Sequence, residues 1–192
     1  VLIDPNKWSA DGTIAMGQTV VTDDGKLLAY TRQEAGSDWS NIHVIEVATG
    51  RELPDVLKWA RHGNIVWNAA GDGFYYARYP EPAKDEVYQA LSLNQMIYFH
   101  KLGEPQSADT LIYKNPENPT WSFWIARTED WTSTTCNSCS VGCTISIGTR
   151  GGRAVIVKPD RLNPVSGDQI CVRGRFHYDA VPERQRLQRH LV

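Results

Sequence analysis

The sequence predicts a mainly β protein: partial blades of a β-propeller, followed by a small module built around a β-hairpin. Three observations predict it. Short β runs separated by turn dipeptides occupy residues 12 to about 114. Their turn signals recur at an interval of about 40–50 residues, the spacing of four-stranded blades. All four cysteines lie in the last third, so the chain is expected to be two unlike pieces.

Taken in order, Thr19–Thr22 and Leu27–Thr31 flank Asp23-Asp24-Gly25-Lys26. Asp-Gly between apolar runs is a hairpin signal, read here as a type I′ turn with positive φ at both central positions. Asn41–Val47 alternates polar and apolar residues and turns at Ala48-Thr49-Gly50. Asn64–Trp67 leads through Gly71-Asp72-Gly73 into Phe74–Tyr79, and Met96–His100 and Thr110–Tyr113 flank Gly103. Asp24-Gly25 and Asp72-Gly73 are read as equivalent points of a repeat, and so are Gly50 and Gly103, with an insertion at 80–89. An unrelated β-sandwich is the alternative on strand pattern alone.

Several segments then carry a resemblance. They are Leu2-Ile3-Asp4-Pro5-Asn6, the strand 23–30, Gly36-Ser37-Asp38-Trp39, Glu52-Leu53-Pro54-Asp55-Val56, Gly73-Phe74-Tyr75-Tyr76, Tyr79-Pro80 and residues 102–109. Residues 1–123 thereby resemble the propeller domain of prolyl oligopeptidases, serine peptidases of family S9. The resemblance implies a propeller that covers the active site of an α/β-hydrolase domain and restricts access to short peptides. It also implies that the Ser, Asp and His triad belongs to that other domain. These 192 residues contain no Gly-x-Ser-x-Gly elbow, so no peptidase activity is expected of them. His43, His62 and His100 have no partner at a telling spacing, and His43 and His100 lie on strands, so packing on a strand face is expected. Trp67, Phe74, Tyr75, Tyr76 and Tyr79 are expected to fill blade core rather than form a peptide cage.

From Ile125 the character changes. Cys136-x2-Cys139-x3-Cys143 places three thiolates within eight residues, and Cys171 follows after 27 more. Four thiolates so spaced, with Gly142 among them, suit a cubane [4Fe–4S] cluster. Cys136, Cys139, Cys143 and Cys171 are therefore the candidate metal ligands. Structural zinc and a disulfide framework are the competing readings, although zinc sites usually show two C-x2-C knuckles. Alternation on both sides of Gly151-Gly152 predicts a hairpin of 143–149 with 154–158. The loop from Pro159 to Gly167 then returns Cys171 to the other thiolates. Gly142 and Gly174 are expected to permit close backbone approach, and Arg173 and Arg175 to supply positive charge.

Trp131-Thr132-Ser133-Thr134-Thr135-Cys136, Ser140-Val141-Gly142-Cys143, residues 157–165 and Ile170-Cys171-Val172-Arg173-Gly174-Arg175-Phe176 carry a second resemblance. Residues 125–192 resemble the N-terminal iron–sulfur domain of the molybdopterin oxidoreductase family. Formate dehydrogenases and the large iron–sulfur subunit of complex I are members. This implies single-electron transfer inside a larger oxidoreductase, with other subunits or domains of a redox complex as partners. The molybdopterin-binding domains are absent from this stretch. The resemblance places Arg173 on the electron path, where many members carry Lys, in a role tuning potential or coupling. The Thr-Thr-Cys lead-in and the residues after Cys171 lean towards complex I.

Charge supports the division. Residues 1–124 carry 10 Lys+Arg against 16 Asp+Glu, and residues 125–192 carry 10 against 6, so the sign of the balance changes near Trp124. The net charge of −2 gives no reason to invoke nucleic acid. No apolar run is long enough to span a membrane and no signal peptide is evident, so the cytoplasm is expected, or a peripheral place at a membrane complex. The start at Val1 suggests a fragment. The expected domains are 1–123 and 125–192. Electron transfer is the leading functional expectation; a propeller fragment gating a peptidase, or a chimeric non-functional fusion, is the alternative.

Overall fold

In the computed structural model, which describes residues 1–34, 37–83, 87, 90–136, 138–160 and 167–176, the chain falls into two units, Val1–Ile125 and Ala126–Val192. The first holds a seven-stranded antiparallel meander: β1 (Ile14–Val21), β2 (Leu27–Glu34), β3 (Ser40–Glu46), β4 (Glu52–Trp67), β5 (Gly73–Arg78), β6 (Met96–Lys101) and β7 (Thr110–Lys114). Strand β4 explains how one meander makes two blades. Its first half pairs with β3 (Leu57 opposite Ile42), and its second half pairs with β5 (Ile65 opposite Tyr76). Between them the register breaks, and Trp59 and His62 take positive φ values of 66° and 47°. Non-glycine residues rarely occupy that region, so the bend is held by its surroundings. The strand thus ends one four-stranded blade and begins the next.

The first strands of the two blades lie side by side. The Trp67 indole N–H donates to the Val20 carbonyl at 2.9 Å, and the Ile65 N–H donates to the Gln18 side chain at 3.2 Å. The core fills the space between the blades: Ala29, Ile42, Val44 and Leu57 from one, Ile65, Trp67, Phe74 and Tyr76 from the other. Fully burying a large apolar side chain contributes about 1.5–3 kcal/mol, so this cluster is the main stabilising feature of the unit. Trp67 and Phe74 meet edge to face with centroids 5.1 Å apart. Trp67, Phe74, Tyr76 and Tyr79 are buried, as expected of blade core, and Tyr75 packs on Phe99.

Two turn assignments change. Only Gly25 has positive φ in the β1–β2 connection (74°), and Thr22 N–H meets the Leu27 carbonyl across four intervening residues. That is a longer loop with one left-handed glycine, not a two-residue type I′ turn. Its counterpart in the second blade is Gly71 (φ 72°), inside an identical frame from Asn68 to Gly73. Gly73 is instead the first residue of β5, where a Cβ would stand 2.4 Å from the His100 carbonyl oxygen. The repeat therefore aligns Gly25 with Gly71, and Gly50 with Gly103 as expected, both with positive φ.

The second unit is a three-stranded sheet in the order β10-β9-β8, formed by β8 (Asp130–Thr135), β9 (Thr144–Arg150) and β10 (Arg153–Pro159), with a short helix α1 (Val172–Phe176). The hairpin at Gly151-Gly152 is as expected: both glycines have positive φ, and Arg150 pairs with Arg153. No helix of the described residues is long and apolar enough to cross a membrane.

Candidate functional site

The cysteine loop grows from the end of the β8–β9 ladder. Thr135 and Thr144 form its last pair. Immediately beyond, the Cys136 N–H donates to the Cys143 carbonyl at 2.7 Å, closing the loop that carries Cys139. Cys136 and Cys143 are thus half-buried at the neck, while Cys139 is exposed. Gly142 sits here for its positive φ of 72°; open space surrounds its Cα, so close approach is not its role.

Close approach belongs to Gly174. Cys171 directly precedes α1, and the Gly174 N–H points at the Cys171 sulfur at 3.5 Å. A Cβ on Gly174 would stand 2.8 Å from Ile170 Cγ1 and 3.4 Å from the Cys136 sulfur. The glycine therefore lies beside Cys136 Sγ while donating to Cys171 Sγ. That donated N–H is the largest influence lowering the Cys171 thiol pKa, with the Arg173 backbone N–H and positive charge adding to it. Cys136 and Cys171 thus meet at Gly174, and Cys143 is tied to Cys136 through the backbone, while Cys139 and Cys171 are both exposed. Within the loop the Ser138 hydroxyl oxygen is buried without a hydrogen-bond partner. Among the described residues no three His, Cys, Asp or Glu side chains gather closely enough to hold a single metal ion. A cubane makes a different demand, because its four thiolates share four irons. The rest of the matching segment 157–165 after Asp160, and the residues after Phe176, lie outside the described residues, as does most of the 159–167 loop.

The propeller unit holds a buried charge cluster that spacing did not reveal. His100 on β6 is fully buried, and both its ring nitrogens face carboxylates: Nδ1 lies 2.7 Å from Asp109 and Nε2 lies 3.0 Å from Asp55. The expectation that His100 has no partner is therefore corrected. Asp55 belongs to the first blade, on β4, and also accepts the Gly103 N–H at 2.6 Å. Asp109, delivered by the turn Gln106–Ala108 just before β7, also accepts the Tyr76 O–H at 2.6 Å. Burial alone would lower the His100 pKa, but the two carboxylates outweigh it and the net shift is upward. Burial and the hydrogen bond to Asp109 push the Tyr76 phenol far up as well. The cluster is a histidine–carboxylate clamp joining two blades. His43 stacks on Tyr30 at 5.6 Å, and His62 sits on the β4 bend.

Two consecutive four-stranded blades in an open meander are a segment of a β-propeller. A model of the prolyl oligopeptidase N-terminal β-propeller domain matches residues 1–140, and the chain belongs to that family. A model of the molybdopterin oxidoreductase Fe4S4 domain matches residues 129–182, so β8, Cys136 and Cys139 fall within both matches. Prolyl oligopeptidase A of Galerina marginata is 34% identical over 146 residues, covering 68% of this chain and 20% of that protein. Prolyl endopeptidase of Elizabethkingia meningoseptica is 34% identical over 119 residues, covering 62% of this chain and 17% of that protein. Among solved structures, one from an analysis of two prolyl endopeptidases superposes with a TM-score of 0.60 at 32% identity, over 85% of this chain and 22% of that one. Prolyl oligopeptidase B of Galerina marginata, bound to a 35mer hydrolysis and macrocyclization substrate, gives 0.55 at 25% identity, over 82% of this chain and 22% of its own. The chain spans about a fifth of the length of these relatives.

Proposed function

We propose that residues 1–123 are two blades of the propeller that restricts substrate access in a prolyl oligopeptidase-type serine peptidase. They supply no group to the hydrolysis. The observation that carries this reading is the pair of complete blades sharing β4, in a segment matched from residue 1 to 140. Exchanging residues 14–114 for the corresponding blades of a full-length prolyl endopeptidase tests it. The exchanged enzyme should still cleave short prolyl peptides and still reject a folded protein. Cleavage of the folded protein at the rate of a propeller-deleted enzyme would contradict it.

A second reading concerns residues 125–192 and is favoured by the approach of Cys136 and Cys171 to Gly174, with Cys143 held at the neck of the same loop, in a segment that a Fe4S4 domain model matches. The donor set fits one [4Fe–4S] cluster: soft thiolates, a glycine that leaves no Cβ between two of them, and a buried hydroxyl with nothing else to bond. Cys136, Cys139, Cys143 and Cys171 would hold it, and it would supply one-electron transfer within a larger oxidoreductase of the complex I or formate dehydrogenase type. Arg173 would place a permanent positive charge beside Cys171, favouring the thiolate and the more negative reduced state. Partners would be other redox subunits or domains, in the cytoplasm or peripherally at a membrane complex. Anaerobic reconstitution should give about four iron and four sulfide per chain. Stoichiometric zinc without broad visible absorbance would overturn this reading.

A further inference from the structure

Ser138 stands between Cys136 and Cys139, inside the loop closed by the Cys136–Cys143 backbone hydrogen bond. Its hydroxyl oxygen is shielded from solvent yet has no partner, one of four side-chain atoms in that state among the described residues. A buried hydroxyl without a partner is unfavourable, and native proteins rarely leave one so. A hydroxyl hydrogen rotates freely to whatever acceptor is within reach. No cysteine sulfur is its partner in this structure; the iron–sulfur reading would bring anionic thiolate and sulfide sulfur into the same loop. Ser140, also in the loop, is exposed and has water to bond.

We infer that the Ser138 hydroxyl donates a hydrogen bond to a thiolate or sulfide of the cluster and thereby raises its reduction potential. The inference rests on the iron–sulfur reading above. A donor aimed at cluster sulfur stabilises the reduced state more than the oxidised one, because reduction adds a negative charge. Ser138 is thus a positioning and tuning residue, neither a ligand nor a catalytic group.

The test compares the full chain, Ser138→Ala and Ser138→Thr after anaerobic reconstitution. Iron and sulfide are assayed first, and an EPR-monitored redox titration follows. Ser138→Ala should load as the parent does, with the reduction equilibrium about tenfold less favourable, a shift of about 59 mV to more negative potential for one electron. Ser138→Thr keeps the hydroxyl and should stay within about threefold of the parent, well short of the alanine shift. A loaded Ser138→Ala with the parent's potential overturns this inference and leaves the iron–sulfur reading standing. Failure of the parent chain to load any cluster overturns both. If Ser138→Ala alone fails to load while Ser138→Thr loads normally, the hydroxyl holds the cluster rather than tunes it, and the inference falls. If neither variant loads, the serine acts by size and the inference falls.

Discussion

The two units bury apolar side chains to very different extents. Sixteen of the buried apolar residues, from Ala29 to Ile97, belong to the propeller unit; among the described residues the cysteine unit contributes Ile145 and Val157. Strand β8 is exposed along its whole length. The blades can therefore fold on burial, with a histidine clamp between them, whereas the two buried aliphatic residues among the described part of the second unit offset little of the entropy of ordering that part. Small domains in that position are usually held by metal or disulfide cross-links. The four thiols of the second unit are free. The difference teaches that the blades depend on burial, and that on the iron–sulfur reading proposed above the second unit would depend on a different physical term that can be removed separately.

The largest single effect is expected from His100→Ala. It leaves the Asp55 and Asp109 carboxylates buried without their cation, a loss of about 3–5 kcal/mol. Denaturant unfolding of the propeller unit should show it, with iron binding unchanged; an equal loss in the cysteine unit would break the comparison. A pH series sharpens the same point. The folded His100 pKa is raised above its ordinary 6.5, so the stabilisation is fully present below that value. It is lost as pH rises through the raised pKa. The propeller unit should therefore weaken on the alkaline side, and the slope should vanish in His100→Ala. The smallest effect belongs to the second unit, where the Lys158 ammonium lies 3.9 Å from the centroid of the Trp131 ring. Lys158→Ala should cost about 0.5–1 kcal/mol there, measured on reconstituted protein, and nothing in the blades.

Much of this was legible in the chain because it is local. Gly151-Gly152 specifies its hairpin, alternation marks β3, and Cys136, Cys139 and Cys143 lie within one loop. The continuous path of β4 was hidden because Asp55 and Pro54 interrupt its apolar pattern. Asp55 fills a buried position as a partner of His100, and Pro54 is tolerated where the strand pairs on one side, with β3. The clamp was hidden because Asp55 is 45 residues from His100, and only the pairing of blades brings them together. Strand β8 gave no signal because none of its side chains is buried. Gly71 and Gly73 are indistinguishable as letters; one supplies a left-handed turn and the other makes room for a carbonyl.

The central claim is that burial holds residues 14–114 and thiolate ligation holds residues 130–176. Hydrogen exchange on the reconstituted chain before and after iron removal tests it most directly, since exchange reports the stability of each segment separately. The account expects chelation to abolish protection across β8, β9, β10 and α1 while β1 to β7 keep theirs, with protease cutting first around Asn118–Thr132. Loss of protection in both units together on chelation, or retained protection in the cysteine unit without iron, would contradict it.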